Sequence, residues 1–456
     1  MKKQRARSVW GIGRMNNTEL AIQFFIQIAV ILLFCRMVGG AARWVGQPQV
    51  VAEMIAGVLL GPSLFGLLLP ELQQAIFPWD TTQAGRDTQS YLFPASQLGL
   101  ALYMFIVGME FRLDIIQSRF RSSLAVSLAG MIAPFVLGGL LGWFFFYFTE
   151  LFPKKTTLFE AVLFLGASMC ITAFPMLARI IHFKGLNGTV MGTVAIGAGA
   201  IDDAMAWCLL AVVLASFDGN VLHAAENILG GVLYVMLILL ALRPLLSRWQ
   251  KPIFLSELGV RSERGGEEGA MRLTEAGLVV ALALMALGAW FTDLIGLHAV
   301  FGAFVMGAAL PRGAVVRDVI ARVQPLAVAL LLPLFFTYSG LNTRIGLLNS
   351  FYLWLMCGLV MIAAVLGKGV ACWLAARATG LPNREALGIG TLMNARGLME
   401  LIIINIGLQR GVISEGLFAI LVIMAVVTTL MASPLFDWLV PGQRANQTEL
   451  DEGFAS

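Results

Sequence analysis

The sequence predicts an all-α polytopic membrane protein of about thirteen transmembrane helices, and three observations predict it. Of 456 residues, 59% are hydrophobic and only 13% are charged, with a mean hydropathy of +0.83. A soluble chain carries about 25% charged residues, so there is too little polar surface here to coat a globule in water. The apolar residues also fall in long runs of the roughly 20 residues a helix needs to cross hydrocarbon. Those runs are too continuous and too weakly alternating for a transmembrane barrel. Disorder, collagen-like repeats and disulfide scaffolds are excluded by the same composition. The five cysteines, Cys35, Cys170, Cys208, Cys357 and Cys372, all lie inside apolar runs and need no disulfide framework.

The runs lie at about 19–39, 48–69, 92–109, 122–148, 157–180, 187–216, 222–247, 274–292, 295–311, 323–340, 349–376, 385–408 and 413–440. Residues 1–18 and 441–456 are tails around one transporter domain, 19–440. The longest gap, from Trp249 to Arg272, holds Arg261, Glu263, Arg264, Glu267 and Glu268 and divides the chain near its middle. Nineteen Lys and Arg in or beside loops fall on one side of the membrane and ten on the other, with Lys368 and Arg396 inside spans. The positive-inside bias then puts the C-terminus and the long middle loop in the cytoplasm. The basic tail of Lys2, Lys3, Arg5, Arg7 and Arg14 opposes that orientation. The first apolar run is too long for a cleavable signal and lacks a small-residue cleavage site. A multi-pass protein of a bacterial inner membrane is expected.

A charged side chain at mid-bilayer costs about 2.5–3.5 kcal/mol on insertion scales, so each one is informative. The sixth span carries Asp202 and Asp203 side by side near its middle. Helical neighbours point about 100° apart, so the two carboxylates can face different partners. The eleventh span holds Lys368, and the twelfth holds Asn394, Arg396 and Glu400. Lysine and aspartate buried together offset part of each other's desolvation.

Two spans are interrupted. The fifth contains Thr172-Ala173-Phe174-Pro175, where the proline removes a backbone donor and disfavours helix before it. The twelfth contains Met393-Asn394-Ala395-Arg396-Gly397, a polar break in an apolar run. Paired interruptions in the two halves point to a transporter's binding site. Spans five and twelve run in opposite directions, as they would if spans 1–6 and 8–13 formed an inverted repeat with span 7 as linker. Half-helix ends expose partial charges at mid-membrane. A small cation needs oxygen ligands, which freed carbonyls, Thr172, Ser168 and the Asp pair can supply.

Other polar residues have plainer readings. Glu53, early in the second span, faces either an interface or a water-filled vestibule. Glu110 and Arg112 end the third span as anchors. His182 and His223 read as loop residues, and His298 as a packing or capping residue at a helix start.

Seven stretches in order over about 350 residues carry a resemblance. They are Gln47 to Ser63, Gly99 to Glu110, Thr172 to Arg179, Ala200 to Trp207, His298 to Phe304, Pro333 to Leu341 and Asn394 to Leu401. On these the chain resembles the monovalent cation:proton antiporter superfamily, in its branch of bacterial potassium-efflux antiporters and plant and fungal cation/proton exchangers. The resemblance implies the sodium/proton antiporter fold, with two crossed broken helices, and a homodimer whose protomers divide into a dimerisation domain and a mobile core. It implies that Asp203 binds the ion, that Asp202 pairs with Lys368, and that Thr172 lies in the unwound segment near the ion. Plant and fungal exchangers often lack an acid at the position of Asp202. The paired acid with a buried lysine looks more like the electrogenic sodium/proton antiporters.

Burial disfavours a charged carboxylate, so such a group can hold a proton or a cation in competition. If the core moves only when that carboxylate is neutralised, exchange of Na+ or K+ for H+ is obligatory. No cofactor and no nucleic acid is expected, and no Gly-rich phosphate loop followed by Lys-Ser or Lys-Thr occurs. The rival readings are a channel-like cation pathway and a carrier of organic anions on a related fold. An intramembrane aspartyl protease fits poorly, since its two carboxylates stand on separate helices.

Overall fold

The computed structural model describes residues 17–44, 47, 49–78, 83–110, 119–186, 189–217, 221–257, 271–295, 298–342 and 345–441. Each of the thirteen apolar runs is occupied by helix. In chain order these are α1 (Asn17–Trp44), α2 (Gln49–Leu60), α3 (Gln83–Glu110), α4 (Phe120–Phe148), α5 (Leu158–Cys170), α6 (Phe174–Phe183), α7 (Val190–Phe217) and α8 (Val221–Met236). There follow α9 (Glu275–Leu294), α10 (Ala299–Ala309), α11 (Ala314–Leu326), α12 (Leu332–Leu341), α13 (Phe351–Ala378), α14 (Asn383–Leu392), α15 (Leu398–Gln409) and α16 (Glu415–Leu439). Among the described residues nine helical stretches are long and apolar enough to cross a bilayer unaided. The chain is an integral, multi-pass membrane protein.

The interruptions fall where the sequence places them. Span five is split into α5 and α6, and span twelve into α14 and α15. Pro175 sits in the first turn of α6, where its missing N–H leaves no intrahelical bond unmade. At the start of α5 the sequence Thr157-Leu158-Phe159-Glu160 closes a capping box, each side chain bonding the other residue's backbone N–H.

Local departures from the sequence reading have local causes. His182 and His223 lie inside α6 and α8 rather than in loops: α6 runs to Phe183, beyond the apolar run that ends at about 180, and α8 starts at Val221, two residues before His223. Wider π-helical turns at Leu237–Leu242 and Ala327–Leu331 accompany Pro244 and Pro325, which cannot donate to the ladder. The chain is also not wholly helical. The strands β1 (Leu255–Glu257) and β2 (Met271–Leu273) pair antiparallel, with Ser256 opposite Arg272. The charged centre of that connection, 258–270, lies outside the described residues, as do the tails before residue 17 and after residue 441 and Arg112.

The chain forms two compact units interleaved in sequence. The first comprises Met1–Leu32, Phe77–Phe111 and Asp218–Tyr338. Glycines set its helix spacing. A Cβ on Gly302 of α10 would meet the Gly288 carbonyl oxygen of α9 at 2.0 Å, and one on Gly307 would meet the Phe105 oxygen of α3 at 2.1 Å. The β-ribbon is tied to α11: Leu273 N donates to Asp318 and its carbonyl accepts from Arg322. His298 caps α10, its Nδ1 accepting from Val300 N, which bears out the capping reading.

The second unit comprises Leu33–Ile76, Arg112–Phe217 and Ser339–Ser456 and contains both interrupted spans and the Asp pair. Gly138 and Gly142 of α4 lie against the Leu165 and Ala161 carbonyls of α5. An apolar core that includes Val126, Leu177, Val194, Ala198, Leu392 and Phe436 joins α4, α6, α7, α14 and α16. Gly340 at the end of α12 meets α2 at the tightest approach in this unit, where an added Cβ would stand 1.9 Å from the Gly57 oxygen. Backbone cannot yield to a side chain as another side chain can. We therefore expect Gly340→Ala to destabilise the protein by about 1–3 kcal/mol, read as a lowered melting temperature in detergent.

Candidate functional site

The two acids occupy the middle of α7, both wholly buried, in opposite circumstances. Ser127 of α4 donates to Asp202 Oδ1 at 2.5 Å, and Thr172 in the first interruption donates to Oδ2. Lys368 of α13, also buried, holds its Nζ 3.6 Å from the same Oδ2. Asp202 is thus met by donors on both oxygens. Asp203 has none: both its oxygens are buried and without a hydrogen-bond partner among the described residues.

The interruptions are held to each other. Ala173 N donates to Ala395 O at 3.4 Å, so the two unwound segments cross backbone to backbone. Gly397 makes room for this, since a Cβ there would meet Met176 at 2.8 Å. A helix leaves its last carbonyls unpaired and carries partial negative charge there. At the end of α5 two buried cations answer it: Lys368 Nζ donates to Cys170 O, and Arg396 Nη1 donates to Ser168 O at 3.4 Å. At the end of α14 the side-chain amide of Asn394 donates back to Gly390 O. Glu400 stands in the first turn of α15, where the dipole favours an acid, and accepts from Arg396 Nη1 at 3.2 Å. The backbone of Arg396 is pinned by Thr429 of α16, which accepts from its N–H and donates to its carbonyl.

Most of the residues singled out in the sequence therefore meet here: Asp202, Asp203, Lys368, Thr172 and Ala173 at the first interruption, Ala395, Arg396 and Gly397 at the second, with Glu400 and the backbone of Ser168 beside them. Phe174, buried, and Pro175 open α6. Two expectations are modified. Freed carbonyls and Ser168 were expected as ion ligands; at the end of α5 the carbonyls of Ser168 and Cys170 accept from Arg396 and Lys368. The Ser168 hydroxyl bonds Phe164 O on its own helix. Glu53 is buried on α2, where Gln49 one turn earlier donates to Oε1 at 3.0 Å. Ser127 and Thr429 were missed. The signal for Ser127 is present as Ser123 and Ser127, four residues apart and so on one helix face. Both bond α7, Ser123 to Val194 O and Ser127 to Asp202.

No group of three or more His, Cys, Asp or Glu that could hold a resident metal occurs among the described residues. What the arrangement can do is present one uncompensated buried carboxylate, next in the chain to a fully bonded one that Thr172 ties to the first of two crossed interruptions. Discontinuous helices meeting at buried ionisable groups mark a secondary transporter. The chain belongs to the sodium/hydrogen exchanger family: the profile of the transmembrane sodium/hydrogen exchanger matches residues 29–441. That places it in the monovalent cation:proton antiporter superfamily. It is 37% identical over 430 residues to the Na(+)/H(+) antiporter NhaS4 of Synechocystis, covering 93% of this chain and 99% of that protein. It is 30% identical to the K(+)/H(+) antiporter 1 of Saccharomyces cerevisiae over 93% of this chain, and spans only 47% of that longer protein. The fold matches the sodium proton antiporter MjNhaP1 from Methanocaldococcus jannaschii, with a TM-score of 0.60 at 12% identity, covering 93% of this chain and all of that one.

Arg396 and Glu400 are both buried, so removing one leaves the other's charge unpaired. We expect Arg396→Met to destabilise the protein by about 3–5 kcal/mol and the double variant Arg396→Met/Glu400→Leu to recover most of that loss. Thermal melts of the purified variants check both.

Proposed function

We propose that the protein is a secondary active antiporter that exchanges Na+ or K+ for protons, with the two competing for Asp203. One observation carries this reading: a buried carboxylate that the protein leaves without donor or counter-ion, next to one that it satisfies. An isolated charge in that position is costly in a medium of low dielectric. Binding of either a proton or a monovalent cation removes the cost. The compact unit bearing the Asp pair then shifts to the other side of the membrane in its neutralised state, and its charged state stays put. Coupling follows without any nucleotide. The family membership supports cation/proton exchange, and relatives named for Na+ and for K+ leave both ions open here.

Asp202 and Lys368 act as a positioning pair in this scheme, and Thr172 ties them to the first interruption. If only Asp203 gives up a proton, one cation exchanges for one proton. If Lys368 releases one as well, two protons move and transport carries charge. The protein acts as a homodimer in a bacterial inner membrane with its C-terminus in the cytoplasm, and serves pH homeostasis.

Proteoliposomes loaded with Na+ or K+ test the assignment. We expect Asp203→Asn to reduce exchange to the level of empty liposomes, and a wild-type rate in that variant refutes the site. We expect Lys368→Gln to retain exchange and lose its response to an imposed membrane potential.

A further inference from the structure

Asp202 is bound more completely than pairing with a lysine would bind it, and the additional bond comes from α4. We propose that Ser127 is a positioning residue for ion exchange: it fixes Asp202 as the bonded member of the acid pair, so that Asp203 alone opens to the transported ion. This rests on the exchange reading given above. Among the described residues Ser127 is the one donor to Asp202 Oδ1, at 2.5 Å. The opposite oxygen has Thr172 and, at 3.6 Å, Lys368. Lys368 also donates to Cys170 O, so its hold on Asp202 is shared with a helix end. The side of the carboxylate facing α4 depends on a single hydroxyl.

That hydroxyl is itself immobile. Ser127 is fully buried, and Ser123 one turn earlier bonds Val194 O, fastening α4 to α7 on the same face. Without the Ser127 hydroxyl, Oδ1 becomes a buried anionic oxygen with no donor. The carboxylate then turns toward Lys368 or Asp203, or takes up a proton. Each outcome weakens cation binding, because a displaced or protonated Asp202 leaves the Lys368 charge uncompensated beside the incoming ion. A hydrogen bond to a charged group is strong enough that its loss corresponds to about a tenfold change in affinity. The effect falls on cation affinity rather than on the rate of movement, since the neutralised state of Asp203 is unaltered.

The test is Na+/H+ and K+/H+ exchange by the full chain in proteoliposomes, with Ser127→Ala, Ser127→Cys and Ser127→Thr beside Asp203→Asn. We expect Ser127→Ala to raise the apparent KM for the cation about tenfold with kcat within about twofold of wild type. Ser127→Thr, which keeps the hydroxyl, restores KM, and Ser127→Cys, a weak donor of similar size, lies between. A wild-type KM in folded Ser127→Ala overturns the proposal, as does a loss of kcat alone, which is what a packing role produces. Where Ser127→Ala does not fold, the KM of Ser127→Cys decides by the same criterion. Wild-type exchange by Asp203→Asn defeats the underlying site reading instead, so the two failures are distinguishable.

Discussion

The structure carries, in the middle of α7, a buried carboxylate that no donor and no cation among the described residues meets. With acids ionised and bases protonated, Lys368 offsets Asp202 and Arg396 offsets Glu400. Asp203 remains, buried and without a donor. Water would solvate such a group, but hydrocarbon does not, and no backbone amide or basic side chain among the described residues takes that role. A protein that needed Asp203 only for stability would be served better by an apolar residue of similar size. Its cost is intelligible on the proposed exchange, in which the missing partner arrives from solution.

Keeping that carboxylate uncompensated while the same unit buries two cations is a problem of placement. The broken helices solve it by giving the cations other work. Each interruption exposes carbonyls at mid-membrane that must be satisfied. Cys170 O takes Lys368, and Ser168 O takes Arg396, which is itself fixed through Thr429 and Glu400. The unwound backbone therefore acts as an anchor for positive charge. This explains why the crossing needs polar residues from α4, α13 and α16 as well as from the interrupted spans. It also explains why Gly397, without a side chain, stands where Met176 packs.

Much of this was legible in the sequence, because the bilayer penalises what it cannot solvate. Thirteen apolar runs gave the helices. The Asp pair, Lys368 and Arg396 were conspicuous as charges inside them. The breaks showed as Pro175 and as the string from Met393 to Gly397. The rest was hidden for equally physical reasons. Serine and threonine are common in transmembrane helices and can bond back to their own turn, as Ser168 does. The spacing of Ser123 and Ser127 marks a shared helix face, but nothing local shows that the face reaches across to α7. The β-ribbon is only three residues on each side and too short for an alternating pattern to show. The proline-associated π turns depend on how the ladder relaxes after losing a donor. The interleaving of the two units rests on contacts between remote segments, which no single window of sequence contains.

Lys368 occupies the point where the two demands on this site meet. Its Nζ serves a carboxylate on α7 and a carbonyl at the end of α5. An ammonium has three donors and no fixed fork, so it can lean toward either. An arginine in its place would bind the carboxylate in a planar, two-bonded geometry and could not serve as a proton carrier. If Lys368 is neutral, Cys170 O loses its cationic donor, while Ser168 O keeps Arg396 and Asp202 keeps Ser127 and Thr172. The aspartate and the end of α5 thus each keep other partners, and the Cys170 carbonyl is the group that faces the neutral amine. How readily Lys368 can be neutral therefore depends on the carbonyl of Cys170 as well as on the Asp–Lys distance, a property of the broken helix as much as of the acid pair.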